Sequence, residues 1–439
     1  MKNKITVLFF LFSLSLFSQD NVQRFTLQEA IDYALANNRT ALNAQLDVEA
    51  AKQQKRETVA TGLPQLSGNI DYQNSIKQQF PGIDFDGDGN VDFGAKQSMT
   101  VGAVLNQKIF DGSYIVGLQS AKVYLEISKN AKEKTDLQIR EAVINAYGNV
   151  LLAEESLEII NSNIAILEKN VNETTKIFEN GLEEEESVEQ LKITLSGVKS
   201  QLNNTKRLKS IAYQMLNITL GLDVNAAIEL TDDLEALTTQ NMSLELLAAP
   251  ETITDNIDYK IAANDKVSKE LLVDLERSKA LPTLNAFLNG AYIGNNEAFQ
   301  FTTRHQNWIG TAAFGATLHI PIFSSGMRSA STQRARINLE KAEANLIETE
   351  QQLRLEIASA KSDYELAIEE YSNKKENLNL AERIESKNQT KFFEGVGSSF
   401  ELRQAQTQLY AAQQEFLQAM LNVINAKAEL ETVLNQPTY

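Results

Sequence analysis

The chain has 439 residues, a formal net charge of −17, six prolines and no cysteine. Neither a disulfide nor a lipidated N-terminal cysteine can be built from such a chain, and its acidic balance leaves no basic stripe to neutralise nucleic-acid phosphates. The prolines fall at 64, 81, 250, 282, 321 and 437, so 82–249 and 322–436 lack the residue that most strongly breaks helices.

Lys2 and Lys4 precede an apolar run over 5–17, followed by Ser18, Gln19 and Asp20. This layout predicts a secretory signal peptide over 1–18. The run is too short to span a bilayer, and no other approaches the roughly 20 residues of a transmembrane helix. Any membrane-spanning part must therefore come from strands.

A first repeat is expected over 19–224. It opens with Thr26-Leu-Gln-Glu29, a capping box ahead of Ile31, Leu35, Leu42 and Leu46. That pattern predicts one helix to about Thr61, where Gly62 and Pro64 stop it. The period then changes from helical to two. Leu66, Gly68, Ile70 and Tyr72 alternate with polar residues, as Met99, Val101, Ala103 and Leu105 alternate with Thr100, Gly102, Val104 and Asn106, which predicts strands over 66–75 and 98–108.

The sequence KIFDGS then leads into a long helical hairpin over 113–220. Its first arm carries two rows of apolar residues at seven-residue steps. One is Val143, Val150, Leu157, Ile164, Val171 and Phe178; the other is Ile139, Ala146, Ala153, Ile160 and Leu167. Such rows make the seam of a left-handed coiled coil. At ~1.5 Å per residue the arm is a rod on the order of 100 Å, too long for one small core.

An acidic connecting segment covers 225–258, and the same order then returns over 259–439 with a helix, strands over 283–293 and 308–320, and a hairpin over 327–434. LPQL at Leu63 is matched by LPTL at Leu281, VGAVLNQKIFDGS at Val101 by FGATLHIPIFSSG at Phe314, and FENGL at Phe178 by FFEGV at Phe392. The offset stays at about 215 residues across all three landmarks, which marks an internal duplication.

Four strands of about ten residues can each cross a bilayer at a tilt, but four cannot close. An open sheet in lipid leaves unpaired backbone groups at both edges, so several chains must pool their strands. Two chains make an eight-stranded barrel filled by its own side chains, whereas three make twelve and leave a lumen. The expected fold class is mainly α with membrane β: internally duplicated long coiled-coil helical hairpins plus four strands per chain, contributing to a trimeric 12-stranded β-barrel and an α-helical tunnel. A soluble antiparallel sheet on a helical core would also explain the alternation; the signal peptide, the duplication and the helix length weigh against it.

Between the first two strands, Asp84, Asp86, Asp88, Asn90 and Asp92 flank Gly89 in the spacing of a calcium loop, with Ala95 in place of its bidentate glutamate. A weak extracellular calcium site is one reading and a solvated Gly/Asp turn the other. No cofactor is otherwise required. Tyr72, Phe80, Tyr292, Phe299, Phe301 and Trp308 lie near strand ends, where aromatics mark a membrane interface with outer-membrane lipid or simply pack as core. His305 and His319, the two histidines, lack cysteine partners for a transition-metal site. No nucleophile and base pair or phosphate loop supports catalysis.

FTLQEAIDYALANN, LPQLSGNIDY, QKIFDGS with IPIFSSG, and FENGL with FFEGVGSSFELRQAQTQLYAAQQEF together resemble the TolC-like outer-membrane efflux protein family, over essentially the whole mature chain and in both repeats. Lys108 stands where that family often has proline, as at Pro321. The resemblance implies a homotrimer in the outer membrane of a Gram-negative bacterium with a periplasmic helical tunnel. It also implies docking onto a periplasmic adaptor and an inner-membrane RND or ABC transporter. The role implied is a passive conduit for small molecules; the outer component of type I protein secretion is the nearest rival, and a soluble periplasmic coiled-coil adaptor or scaffold a more distant one. In the family the turn after each long helix forms an acidic entrance constriction. The matching residues here are Glu401, Gln404 where a second acid often lies, and Glu183, Glu184, Glu185 and Glu186 in the first turn. Their other reading is ordinary complementation of a helix dipole.

Overall fold

In a computed structural model the structure describes residues 23–78, 82–84, 87, 93–248, 252–304 and 306–436. The chain runs β1 (Gln23–Phe25), α1 (Leu27–Asn37), α2 (Arg39–Ala60), β2 (Gln65–Asn74), β3 (Gln97–Phe110), α3 (Gly112–Glu179), α4 (Glu185–Leu220), β4 (Ile228–Leu230), α5 (Leu234–Asn241), α6 (Ile257–Ser278), β5 (Thr283–Asn296), β6 (Ile309–His319), α7 (Met327–Phe393) and α8 (Ser399–Leu434). The duplication is visible in the element lengths. Helices α2 and α6 have 22 residues each, α3 and α7 have 68 and 67, and α4 and α8 have 36 each.

The contacts divide the chain into two units, with the divisions falling inside or beside helices. One unit comprises 45–131 and 258–350 and holds the sheet. Its strands run in the order β2-β3-β5-β6, all antiparallel, with β2 and β6 at the edges. The register decides what each face carries. Ile70 lies opposite Val101, which lies opposite Tyr292, which lies opposite Gly310; Leu66, Leu105, Leu288 and Phe314 make the next such row. One face is therefore apolar across all four strands. Serine, asparagine and threonine dominate the other, as where Asn69 opposes Gly102 and Asn285 opposes Thr317. The apolar face is uncovered by the described residues: Leu66 is 73% exposed, Ile70 70% and Phe314 88%. A register shift between Lys108 and Phe110 bends β3 as it turns into α3.

The other unit comprises residues up to 44, 132–257 and 351–439. Here Val143, Tyr147, Val150, Tyr364 and Ile357 are fully or almost fully buried. Within it the connecting segment is structured: β4 pairs in parallel with β1, some 200 residues away, through Gln23↔Ile228, Arg24↔Glu229 and Phe25↔Leu230. The Tyr147 hydroxyl donates to Phe25 O at 3.0 Å and lies 2.9 Å from Asp232, whose carboxylate also accepts the Leu27 amide.

Two expectations need correction. The single helix from Thr26 to about Thr61 is two helices, broken at Asn38, whose ψ of 133° is extended. Its amide closes α1 on Ala34 O, its Oδ1 accepts from the Thr40 amide and its Nδ2 donates to Thr219 O, each at 2.7 Å. The break lies where Asn37 crosses the end of α4 at Gly221, so a tertiary contact overrides a sequence that could have stayed helical. The second correction concerns the coiled-coil seam of α3. Ile139, Ala146, Ala153, Ile160 and Leu167 are all buried. The companion row leaves the interior after Val150: Leu157, Ile164 and Val171 are half-buried and Phe178 is exposed, while Asn163, Asn170 and Thr174 face inward. Helix α3 is held from more than one side, by α8 through Asn163 and Gln413 and by α7 through Asn170 and Gln389. No single seven-residue row can serve both partners.

Gly221 has φ +85°, and a Cβ there would approach Asn37 O to 2.4 Å; Gly181 has φ +72° and nothing within 4 Å. Gly221→Ala should therefore destabilise by about 2 kcal/mol or more and Gly181→Ala by about 1 kcal/mol. Thermal melts of the two purified variants would check the order.

Candidate functional site

The two hairpin turns are built alike. Gly181, at φ +72°, donates its amide to Phe178 O at 2.8 Å, and Leu182 donates to Ile177 O at 3.1 Å. Gly395, at φ +75°, donates to Phe392 O at 3.0 Å, and Val396 donates to Lys391 O at 2.9 Å. Glycine is needed because an L side chain is strained at that φ, and the paired bonds satisfy carbonyls at the helix end. The residue after each glycine points to solvent: Leu182 is 78% exposed and Val396 74%. Phe400 beside the second turn is also exposed, with the Arg403 guanidinium 5.4 Å from its ring centre. Sequence reasoning passed over these apolar tips, although an apolar residue after glycine in both FENGL and FFEGV signals them.

The acidic residues of the turns have separate local roles. Glu183 is half-buried and accepts from the Ser187 hydroxyl at 2.7 Å. Glu184 is the N-cap of α4 without a side-chain capping bond, and Glu185 and Glu186 occupy the first turn. There their charge complements the helix dipole. Gln190 donates to Glu186 at 2.8 Å. Glu401 is the third residue of a capping box: its carboxylate accepts the Ser398 amide at 3.1 Å while its own amide donates to Ser398 Oγ at 3.2 Å. The Ser-x-x-Glu spacing announces that bond in the sequence. Gln404, one turn on, is exposed.

At the loop end of the sheet Tyr72, Phe299, Phe301 and Trp308 form one aromatic cluster. Phe301 is buried at its centre, with ring centres 5.9 Å from Tyr72, 5.5 Å from Phe299 and 6.3 Å from Trp308. Tyr292 stands apart from them on the apolar face, opposite Gly310. The two loops are tied together by Gln78, which donates to Glu297 at 3.0 Å and to Gly94 O at 3.1 Å. Phe80, Asp86, Asp88, Asn90, Asp92 and His305 lie outside the described residues. Of the calcium-loop candidates Asp84 alone is described; its Oδ1 accepts the Gly87 amide at 2.7 Å. His319 ends β6 at the opposite end of the sheet.

A polar seam in the helical hairpins was not anticipated. Asn163 donates to Gln413 at 2.8 Å and Gln389 donates to Asn170 at 3.1 Å. Tyr410 packs against the cluster of Ile160, Leu167 and Val198. Burial pushes the nearby Glu385 carboxyl up from its ordinary value, partly offset by the Gln406 amide. Burial also raises the Tyr410 hydroxyl, with the Glu385 charge adding to the shift. These positions read as ordinary polar helix surface, and only the packing of α3, α7 and α8 turns them inward. The features of the arrangement are an apolar-faced sheet, long helical hairpins and two exposed turns.

Those features define a fold of duplicated long helical hairpins joined to an apolar-faced antiparallel sheet, and comparison with known proteins gives the family. The outer membrane efflux protein family matches residues 30–222 and 265–436, and the chain belongs to it. That family is one of efflux proteins rather than enzymes. The chain is 24% identical over 322 residues to the outer membrane protein TolC of Vibrio cholerae, covering 70% of this chain and 67% of TolC. The fold is also that of solved relatives. CusC, described as forming a transmembrane channel, superposes with a TM-score of 0.76 at 19% identity, covering 93% of this chain and 91% of CusC. The outer membrane protein VceC of Vibrio cholerae gives 0.74 at 16% identity, covering 93% and 95%. No helix among the described residues is long and apolar enough to cross a membrane.

Ser398→Ala removes one half of the capping box and should cost about 1 kcal/mol, whereas Glu401→Gln, which retains a capping amide, should cost less; melting curves of the two variants check this. Because the packed seam raises the Glu385 carboxyl, the folded chain binds that proton more tightly than the unfolded chain. The contribution is present in acid and lost as pH rises through the raised value. Glu385→Gln should therefore raise the apparent melting temperature at about pH 8 and leave it nearly unchanged at about pH 4.

Proposed function

We propose that three copies of this chain pool their strands into one twelve-stranded barrel in the outer membrane, and that the helical hairpins continue it into the periplasm as a passive export duct for small molecules. One observation carries the reading: a four-stranded sheet with an uncovered apolar face and two edge strands, β2 and β6. In lipid the backbone groups of those edges must be paired, and copies of the same chain supply the pairing. Three copies give a barrel wide enough for a lumen. The relatives named above, an outer-membrane TolC and a channel-forming CusC, support the same use of the fold.

The hairpin turns are the natural docking points for the rest of an export machine. Leu182, Val396 and Phe400 offer exposed apolar contacts, with Glu183, Glu184, Glu185 and Glu186 following in the chain on one turn and Glu401 on the other. A periplasmic adaptor would seat there, joining the duct to an RND or ABC transporter in the inner membrane that supplies the energy. Collected by threefold symmetry, the glutamates would favour cations at the entrance.

The protein should require detergent for extraction, run as a trimer by light scattering, and conduct in planar bilayers. Recovery as a water-soluble monomer without conductance would end this reading. In a conducting trimer Glu401→Gln should lower cation preference, measured as the reversal potential across a salt gradient; unchanged selectivity removes Glu401 from the entrance.

A further inference from the structure

The four strands of the sheet contain two charged residues, Asp71 on β2 and Lys108 on β3. They stand at opposite ends. Lys108, beside α3, is paired with Asp111 at 3.7 Å and lies 5.5 Å from the Tyr114 ring centre. Asp71 lies near the loop end and pairs with no lysine or arginine among the described residues; its carboxylate accepts from the Asn69 amide on the same face. The register sets Asp71 opposite Thr100, Thr100 opposite Ile293 and Ile293 opposite Ile309. An uncompensated carboxylate thus stands in a row otherwise made of one hydroxyl and two isoleucines, on the face opposite the apolar one.

Resting on the barrel reading above, we propose that Asp71 is a specificity-determining residue of the lumen: three copies form a carboxylate ring towards the outer mouth that favours cations and cationic groups of cargo over anions. The apolar row beside it supplies low-dielectric walls that concentrate the field into the water, and the remaining strand residues facing the lumen carry no opposing charge at that level. The ring is independent of the glutamates of the hairpin turns. It is screened by salt, since the Debye length falls from ~30 Å at about 0.01 M to ~3 Å at about 1 M.

The absence of cysteine makes a local test direct. Thr100→Cys places one thiol beside Asp71, and its modification rates with cationic and anionic methanethiosulfonate reagents of similar size report the potential there, whatever the entrance does. In reconstituted trimers at low salt the cationic reagent should react about tenfold faster than the anionic one. Adding Asp71→Asn should bring the ratio close to one, Asp71→Glu should preserve it, and about 1 M salt should abolish it. A ratio unchanged by Asp71→Asn in a trimer of normal mass overturns the proposal, as does a thiol unreactive toward both reagents. Failure of the underlying barrel reading looks different: the unaltered chain then forms no trimer and no conductance, before any thiol is introduced.

Discussion

The backbone at the edges of one sheet governs the rest of this protein. A strand in water can leave its outer amides and carbonyls to the solvent, but a strand in hydrocarbon cannot. The four-stranded sheet here presents an apolar face that none of the described residues covers, so its setting and its incompleteness are linked. A surface with Leu66, Ile70 and Phe314 bare to water would be a liability in a soluble monomer. In the proposed barrel the same residues face lipid, and the open edges are the surfaces through which copies pair.

The helical hairpins solve a different problem. A helix of 68 residues cannot be stabilised by its own propensity and must be packed along its length. Where α3 lies among several helices its seam shifts, and asparagine, glutamine and a half-buried carboxyl enter the interior in place of leucine. Those groups stabilise less than apolar packing would. The duplicated turns show the opposite economy of means. Each uses one glycine at positive φ and one pair of backbone bonds, and each leaves an apolar side chain free at the tip.

Glu401 shows how one residue can close a helix cap and still keep its side chain exposed. Its carboxylate closes a capping box, which holds the helix start in place, yet it remains exposed. Glu183, by contrast, is drawn inward by Ser187. The acidic character of the two turns therefore arises from residues in unlike surroundings, although a string of four glutamates looks uniform on paper.

Strand alternation, the seven-residue rows, the duplicated landmarks and the capping box at Thr26 were all legible in the amino-acid order, because each depends on residues within a few positions of one another or on a repeat long enough to stand out. That order determined the helical hairpins, the four strands and the family. The tertiary structure alone decided the pairing of β1 with β4, the break at Asn38 and the inward turn of Asn163, Asn170 and Glu385. It also decided that Asp71 shares a row with Thr100, Ile293 and Ile309. Each of these depends on partners distant in the chain, and local periodicity carries no information about which distant backbone or side chain will arrive to satisfy a given group.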